Sequence, residues 1–247
     1  MSEEHRLSDD EKYSPERLQS RLEDIRSRIE VASGGRDGDR PVQLVAVSKT
    51  HPVEAIETLY DAGLRRFGES YVQEWEEKQK VLPDDIEWHF VGRLQSNKAK
   101  FVADRVALVH SVDRRSVLKA LHRRSEDPMR VLLQVNLGMQ KSKGGVPSDE
   151  IEALMDLAAS YEKLNVCGLM GMPPYSDDPE DNRRHFKVLR QTLKRLQRYV
   201  EAHHPAYREG LEELSMGMSN DFEVAIEEGA TIVRVGTALF GQRDYDE

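Results

Sequence analysis

Eight short apolar runs, each followed by a helix-like or helix-opening stretch, constrain this chain more than any other feature. They are VQLVAV (42–47), RRFGE (65–69), EWHFVG (87–92), VALVHS (106–111), MRVLLQVNL (129–137), LNVCGLM (164–170), LEELSM (211–216) and TIVRVG (231–236). Several are near-continuous aliphatic runs, the pattern of strands buried on both faces of a parallel sheet. Between them, VEAIETLYDAG, DEIEALMDLAASYEK and NRRHFKVLRQTLKRLQRYVEA (182–202) repeat apolar residues at spacings of three and four, the period of an amphipathic helix. Alternating strands and helices predict parallel strands covered by helices. Eight such units match an α/β fold of the closed (β/α)8 TIM-barrel type, a single domain over residues 14–247; a doubly wound open sheet is the competitor.

Ahead of the barrel, Ser14-Pro15 opens an extra N-terminal helix whose Leu18, Leu22, Ile25 and Ile29 form one apolar stripe. Residues 1–13 read as a disordered, solvated tail, SGGRDGDRP (33–41) as a loop, and DPEDNRR (178–184) as a long polar insertion. The net charge of −9 argues against nucleic-acid binding, which depends on neutralising phosphates with basic patches. A single cysteine, Cys167, excludes an intramolecular disulfide and fits a reducing compartment. No run approaches the roughly 18 apolar residues of a membrane span, and no secretory or transit signal is legible. A cytoplasmic protein with no membrane partner is expected, and a barrel of this size is expected to be a monomer.

Barrel sites lie at the C-terminal strand ends, and phosphate is often held after strands 7 and 8. The seventh run leads into SMGMSNDFEVAIEEG, where Ser219 or Asn220 can cap a helix, Glu223 completes a capping box and Gly229 stops it. Small residues at Ser215, Gly217 and Ser219 beside such a helix start form a candidate anion site. After the eighth run, Gly236 allows close backbone approach and Thr237 offers both an N–H and a hydroxyl. The first run ends on Lys49, a residue type almost never buried unpaired. Barrel closure turns Lys49 toward the same cavity as Arg234 and Gly236. A phosphorylated carbonyl compound held as an imine is the chemistry that this combination suggests. His89 and His110 read as hydrogen-bonded core residues, the RRSVLKALHRR helix (114–124) as a solvated face, and no metal site is expected.

The segments AVSKTHP, FGESYVQE, WHFVGRLQSNKAKF, LQVNL…K, GLMGMPP and LSMGMSNDFEVAIEEGATIVRVGTALFG occur in the order found in the pyridoxal phosphate homeostasis proteins, which this chain resembles over about residues 14–241. Those proteins look like the barrel domain of bacterial alanine racemase standing alone, a fold-type III-like class. The resemblance implies that Lys49 carries pyridoxal 5′-phosphate (PLP) as an internal aldimine. It implies that Ser215, Gly236 and Thr237 take the phosphate beside the Met216–Ser219 turn, and that Arg234 faces the pyridine nitrogen. Asn97 and Lys143 match further family positions near the site. Two positions depart from the pattern: Ser70 stands where an asparagine is usual, and Gln140 where a glutamate is common.

An arginine keeps its proton, so a pyridine nitrogen facing it stays unprotonated and is a poor electron sink. Racemisation also needs bases on both faces. In the racemases the second is a tyrosine supplied by the partner subunit from a C-terminal β-domain, for which no counterpart is expected here. The resemblance therefore implies binding, storage and delivery of PLP to PLP-dependent apo-enzymes, without robust turnover. An amino-acid racemase or lyase is the alternative. The residues read without the family also allow a phosphosugar-handling barrel.

Overall fold

The computed structural model describes residues 9–34, 41–138, 144–207 and 210–242. All eight expected strands form: β1 (Gln43–Val47), β2 (Arg66–Glu69), β3 (Glu87–Phe90), β4 (Leu108–Val112), β5 (Met129–Val135), β6 (Leu164–Gly171), β7 (Glu213–Ser215) and β8 (Ile232–Val235). They pair in parallel in sequence order, and β8 closes on β1 with Val45 opposite Arg234. The open-sheet alternative is thereby excluded.

Strand alternation divides the apolar residues into two cores. Leu44 and Ala46 of β1, Val131, Leu133 and Val135 of β5, and Val233 and Val235 of β8 face the surrounding helices. Val45, Leu108, Leu132, Cys167, Met170 and Ile232 form a smaller cluster inside the barrel. Between Val131 and Leu132 the β5–β6 register slips by one residue, so that both Val166 and Gly168 find partners while Cys167 is bypassed. Gly168 permits this: a Cβ there would lie 2.0 Å from the carbonyl oxygen of Glu213.

The helix Pro15–Ser33 packs Leu18, Leu22 and Ile25 against the helices Val53–Asp61, Phe222–Glu227 and Thr237–Phe240, covering the β8–β1 seam. Packing begins ahead of Ser14. Asp9–Lys12 forms one helical turn, and the Tyr13 hydroxyl lies 2.9 Å from His51 Nδ1. His51 in turn stacks on Phe240 at 4.6 Å. Residues 9–13 of the expected tail therefore belong to the packed seam, which a charged segment without apolar periodicity did not reveal; residues 1–8 lie outside the described residues.

The expected polar insertion is instead a helix entry. Asp178 accepts a hydrogen bond from the Glu180 N–H at 2.9 Å, the 3-10 turn Pro179–Asn182 follows, and the helix Arg183–His203 continues from it. Among the described residues no helix is long and apolar enough to cross a membrane.

At the N-terminal mouth of the barrel the charges are paired. Arg66 meets Glu87 at 2.9 Å, and Arg130 lies 3.3 Å from Cys167 Sγ and 3.5 Å from Glu213. Thr231 Oγ1 donates to the other Glu213 oxygen at 2.6 Å.

Candidate functional site at the C-terminal barrel mouth

A cavity of about 600 Å3 opens at the C-terminal strand ends, in the size range of small-molecule sites. Lys49, Arg234, Ser219, Gly236 and Thr237 all line it, so the structure brings together five of the sequence-predicted residues. Val47, Met172 and Met218 supply apolar wall, and Ser70 is also exposed to it.

Arg234 sits on the inward face of β8 and is 4% exposed. Burial pushes its guanidinium down to about 10, so the group remains a cation at neutral pH. Its partners are neutral: Nη1 donates to Ser215 Oγ at 2.5 Å and Nη2 to the Gly171 carbonyl at 3.2 Å. Ser215 Oγ lies 2.8 Å from His110 Nδ1, and His110 Nε2 lies 2.9 Å from His89 Nδ1. Arginine only donates, so the Ser215 hydroxyl oxygen accepts from Arg234. Each of the two remaining contacts carries one proton, and the tautomers of His110 and His89 set which side donates. Burial holds both imidazoles neutral, pushing His89 to about 3 and His110 well below its usual value. Ser215 is wholly buried beneath Arg234 rather than at the cavity surface.

The geometry after β7 differs from the expected cap. The helix after β7 spans Phe222–Glu227, and neither Ser219 nor Asn220 caps it. Asn220 Nδ2 donates to the Ser176 carbonyl at 3.0 Å, and Glu223 pairs with Arg28 at 2.5 Å. Ser219 Oγ faces the other way, accepting from the backbone N–H groups of Gly236 at 3.2 Å and Ala238 at 3.1 Å. Two N–H donors and a hydroxyl thus converge beside Thr237. The Met218–Asp221 turn is held by Asp221, which accepts from the Met218 N–H at 2.7 Å and from Asn182 Nδ2 at 2.9 Å. Gly217 within the loop has φ +90, and a Cβ there would meet that of Ala225 at 2.7 Å. Sequence reasoning missed Asn182 and Asp221 because their partnership joins residues far apart in the chain.

Met216 does not reach the cavity; it is fully buried in the outer core. Asn97 lies in the 3-10 turn Ser96–Lys98, exposed and away from the cavity lining. Lys143 and Gln140 lie outside the described residues.

Lys49 is partly buried and emerges just beyond β1. Behind it, between the barrel wall and the helix Val72–Gln79, lies a buried charged cluster. Lys78 Nζ donates to the Ser48 carbonyl at 2.7 Å, to Glu69 at 2.8 Å and to Glu74 at 2.7 Å. Ser48 Oγ donates to the same Glu69 oxygen at 2.7 Å. Burial is the largest influence on Glu69 and raises its carboxyl pKa, with Lys78 opposing.

A parallel eight-stranded barrel with a lysine, a buried arginine and a backbone N–H cup at one mouth defines a barrel of the alanine racemase N-terminal type. The family model "Alanine racemase, N-terminal domain" matches residues 20–244. The pyridoxal phosphate homeostasis protein of Aquifex aeolicus is 44% identical over 234 residues, covering 93% of this chain and 98% of that protein. That of Escherichia coli K12 is 39% identical over 236 residues, covering 92% and 97%. The structure of PipY from Synechococcus elongatus with PLP bound matches with a TM-score of 0.77 and 35% identity, over 91% of this chain and 100% of that one. Alanine racemase of Corynebacterium glutamicum shares the fold, with a TM-score of 0.69 at 17% identity over 93% of this chain and 62% of the racemase. The chain belongs to the pyridoxal phosphate homeostasis protein family.

Proposed function

We propose that this protein binds PLP at the C-terminal barrel mouth and serves in its intracellular homeostasis, holding the cofactor and passing it to PLP-dependent apo-enzymes without sustained turnover. The observation that carries this reading is the convergence of Lys49, Arg234 and the Gly236–Ala238 N–H pair on one cavity. The donor set suits a phosphorylated pyridine aldehyde: an amine, a fixed cation, and backbone donors that match phosphate oxygens. Bound there, the cofactor supplies an aldehyde that a lysine amine takes up with loss of one water, producing a visible chromophore. Lys49 is the residue placed to provide that amine.

Arg234 orients the ring. It can donate to a pyridine nitrogen but has no acceptor through which to hold a proton there, which leaves the ring a weak electron sink. The cavity's tyrosine, Tyr175, is 82% exposed and donates its hydroxyl to Asp177 at 2.8 Å, a bond that raises its pKa. It is poorly disposed to act as a second base opposite Lys49. Binding without racemisation follows from this asymmetry. The acidic composition and the single buried cysteine support a cytoplasmic location, and we take the working form to be a monomer.

The test is the visible absorbance of purified protein titrated with PLP. Wild type develops the absorbance and Lys49→Ala does not. A wild type that stays colourless with added cofactor, or a Lys49→Ala protein that colours equally, would overturn the reading. Steady racemisation of alanine or serine by the wild type would replace it with the racemase alternative.

A further inference from the structure

The two chain neighbours of Lys49 are tightly constrained from outside the barrel. Ser48 to His51 forms a turn closed by the His51 N–H to the Ser48 carbonyl at 3.1 Å. Its third residue, Thr50, has φ +65. That left-handed position belongs to glycine or asparagine in ordinary turns, and a β-branched residue there is a genuine outlier. Such strain persists only where the surroundings over-determine it.

Those surroundings are the buried cluster on the helix Val72–Gln79. Glu74 Oε1 accepts the Thr50 N–H at 2.5 Å and a Lys78 ammonium hydrogen at 2.7 Å. Lys78 uses its other two donors on the Ser48 carbonyl and Glu69, and its side chain is 6% exposed. Glu69, 1% exposed, also receives the Ser48 hydroxyl. One ammonium group therefore satisfies all three of its donors on groups that hold the residues before and after Lys49.

We infer that Glu69, Lys78 and Glu74 are positioning residues for Lys49: they keep Thr50 in its left-handed conformation and so aim the Lys49 amine into the cavity. This rests on the proposed role of Lys49, although the Thr50 conformation can be measured without the cofactor. None of the three carboxylate or ammonium groups lines the cavity. They act through the backbone of the turn.

The experiment compares Glu74→Ala, Glu74→Gln and the double variant Glu74→Ala/Thr50→Gly in the full chain. Two readouts are taken: the PLP capture rate by stopped-flow absorbance, and, in cofactor-free protein, the Thr50 backbone φ from NMR couplings. Glu74→Ala lets Thr50 leave positive φ and slows capture about tenfold, the scale of a mispositioned reacting group. Glycine accepts positive φ without strain, so Thr50→Gly in that background returns the rate to within about threefold of wild type. Glu74→Gln keeps an acceptor for the Thr50 N–H and loses the ion pair; it is expected to fall between, and it carries the comparison if Glu74→Ala does not fold. An unchanged Thr50 φ and capture rate in the folded Glu74 variants would overturn the inference, as would failure of Thr50→Gly to restore capture. Absence of capture in the wild type would instead overturn the proposed function, leaving the Thr50 φ readout to decide this one.

Discussion

The two mouths of the barrel both carry buried or half-buried arginines, yet they treat the charge in opposite ways. At the N-terminal mouth Arg66 faces Glu87 and Arg130 faces Glu213, each within salt-bridge distance. At the C-terminal mouth Arg234 is held by a hydroxyl and a carbonyl, and among the described residues no carboxylate lies within 4 Å of it. Neutral partners fix the direction of a guanidinium without cancelling its charge. Both mouths hold a cavity, but the first, of about 480 Å3, has its cations neutralised by carboxylates, whereas the second keeps the charge of Arg234 uncompensated by a close anion.

The sharpest way to break this comparison is to neutralise one arginine at each end. Arg234→Met should weaken PLP binding by about 10- to 100-fold, the scale of one charge-assisted hydrogen bond. Arg130→Met should leave that affinity unchanged and alter stability by about 0–1 kcal/mol, since Arg130 is about half exposed. Absorbance titrations and thermal melts read both. Equal losses of affinity would mean that the two mouths do not differ functionally.

A smaller effect sharpens the account of the C-terminal mouth itself. Gly236 has φ −115, outside the left-handed region, so Gly236→Val tests space at the N–H cup rather than backbone handedness. PLP affinity should fall about tenfold, and the affinity for pyridoxal, which lacks the phosphate, should hold. Matching losses for both ligands would relocate the phosphate site.

The effect most remote from ligand affinity concerns the neutral chain beneath Arg234. His89 and His110 stay unprotonated when folded and take up protons when unfolded below their ordinary value of 6.5. Their contribution to stability is therefore complete above pH 6.5 and is lost as pH falls, for His89 until about 3. Each imidazole adds a slope of about 1.4 kcal/mol per pH unit in that window. Glu69 and Asp221, whose carboxyl values are raised by burial, act in the opposite sense above their own ordinary values. Comparing His89→Phe with wild type by urea denaturation at pH 5 and pH 7 cancels those shared terms. The variant should show a shallower loss on acidification; identical slopes would mean that His89 is not held neutral.

The barrel was legible because each strand carries its own apolar run, a local signal that parallel burial makes continuous. The limits of each strand were less legible: LEELSM supplies only Glu213–Ser215 to the sheet, since pairing depends on neighbours far along the chain. At the site, Lys49, Ser219, Arg234, Gly236 and Thr237 share a cavity because strand ends converge. The inward parity of Ser215 and Arg234 could have indicated their pairing. Met216, one residue out of phase, faces the outer core for the same reason. Lys78 was detectable too: it occupies the buried stripe of Val72 and Trp75 at a spacing of three, where a solvated lysine has no place. Asn182 and Asp221 left no comparable trace.

The Ser219 hydroxyl has one more consequence. By accepting from both Gly236 and Ala238, it stands in for the oxyanion that the proposed phosphate site would receive. Any such guest must outbid a resident acceptor, so its net gain is a difference between two sets of bonds rather than the whole of one. When the guest departs, the donors do not face the apolar wall bare, because the hydroxyl can return to them. Grip is thereby traded for ease of exchange, a bargain that suits a lender better than a permanent owner.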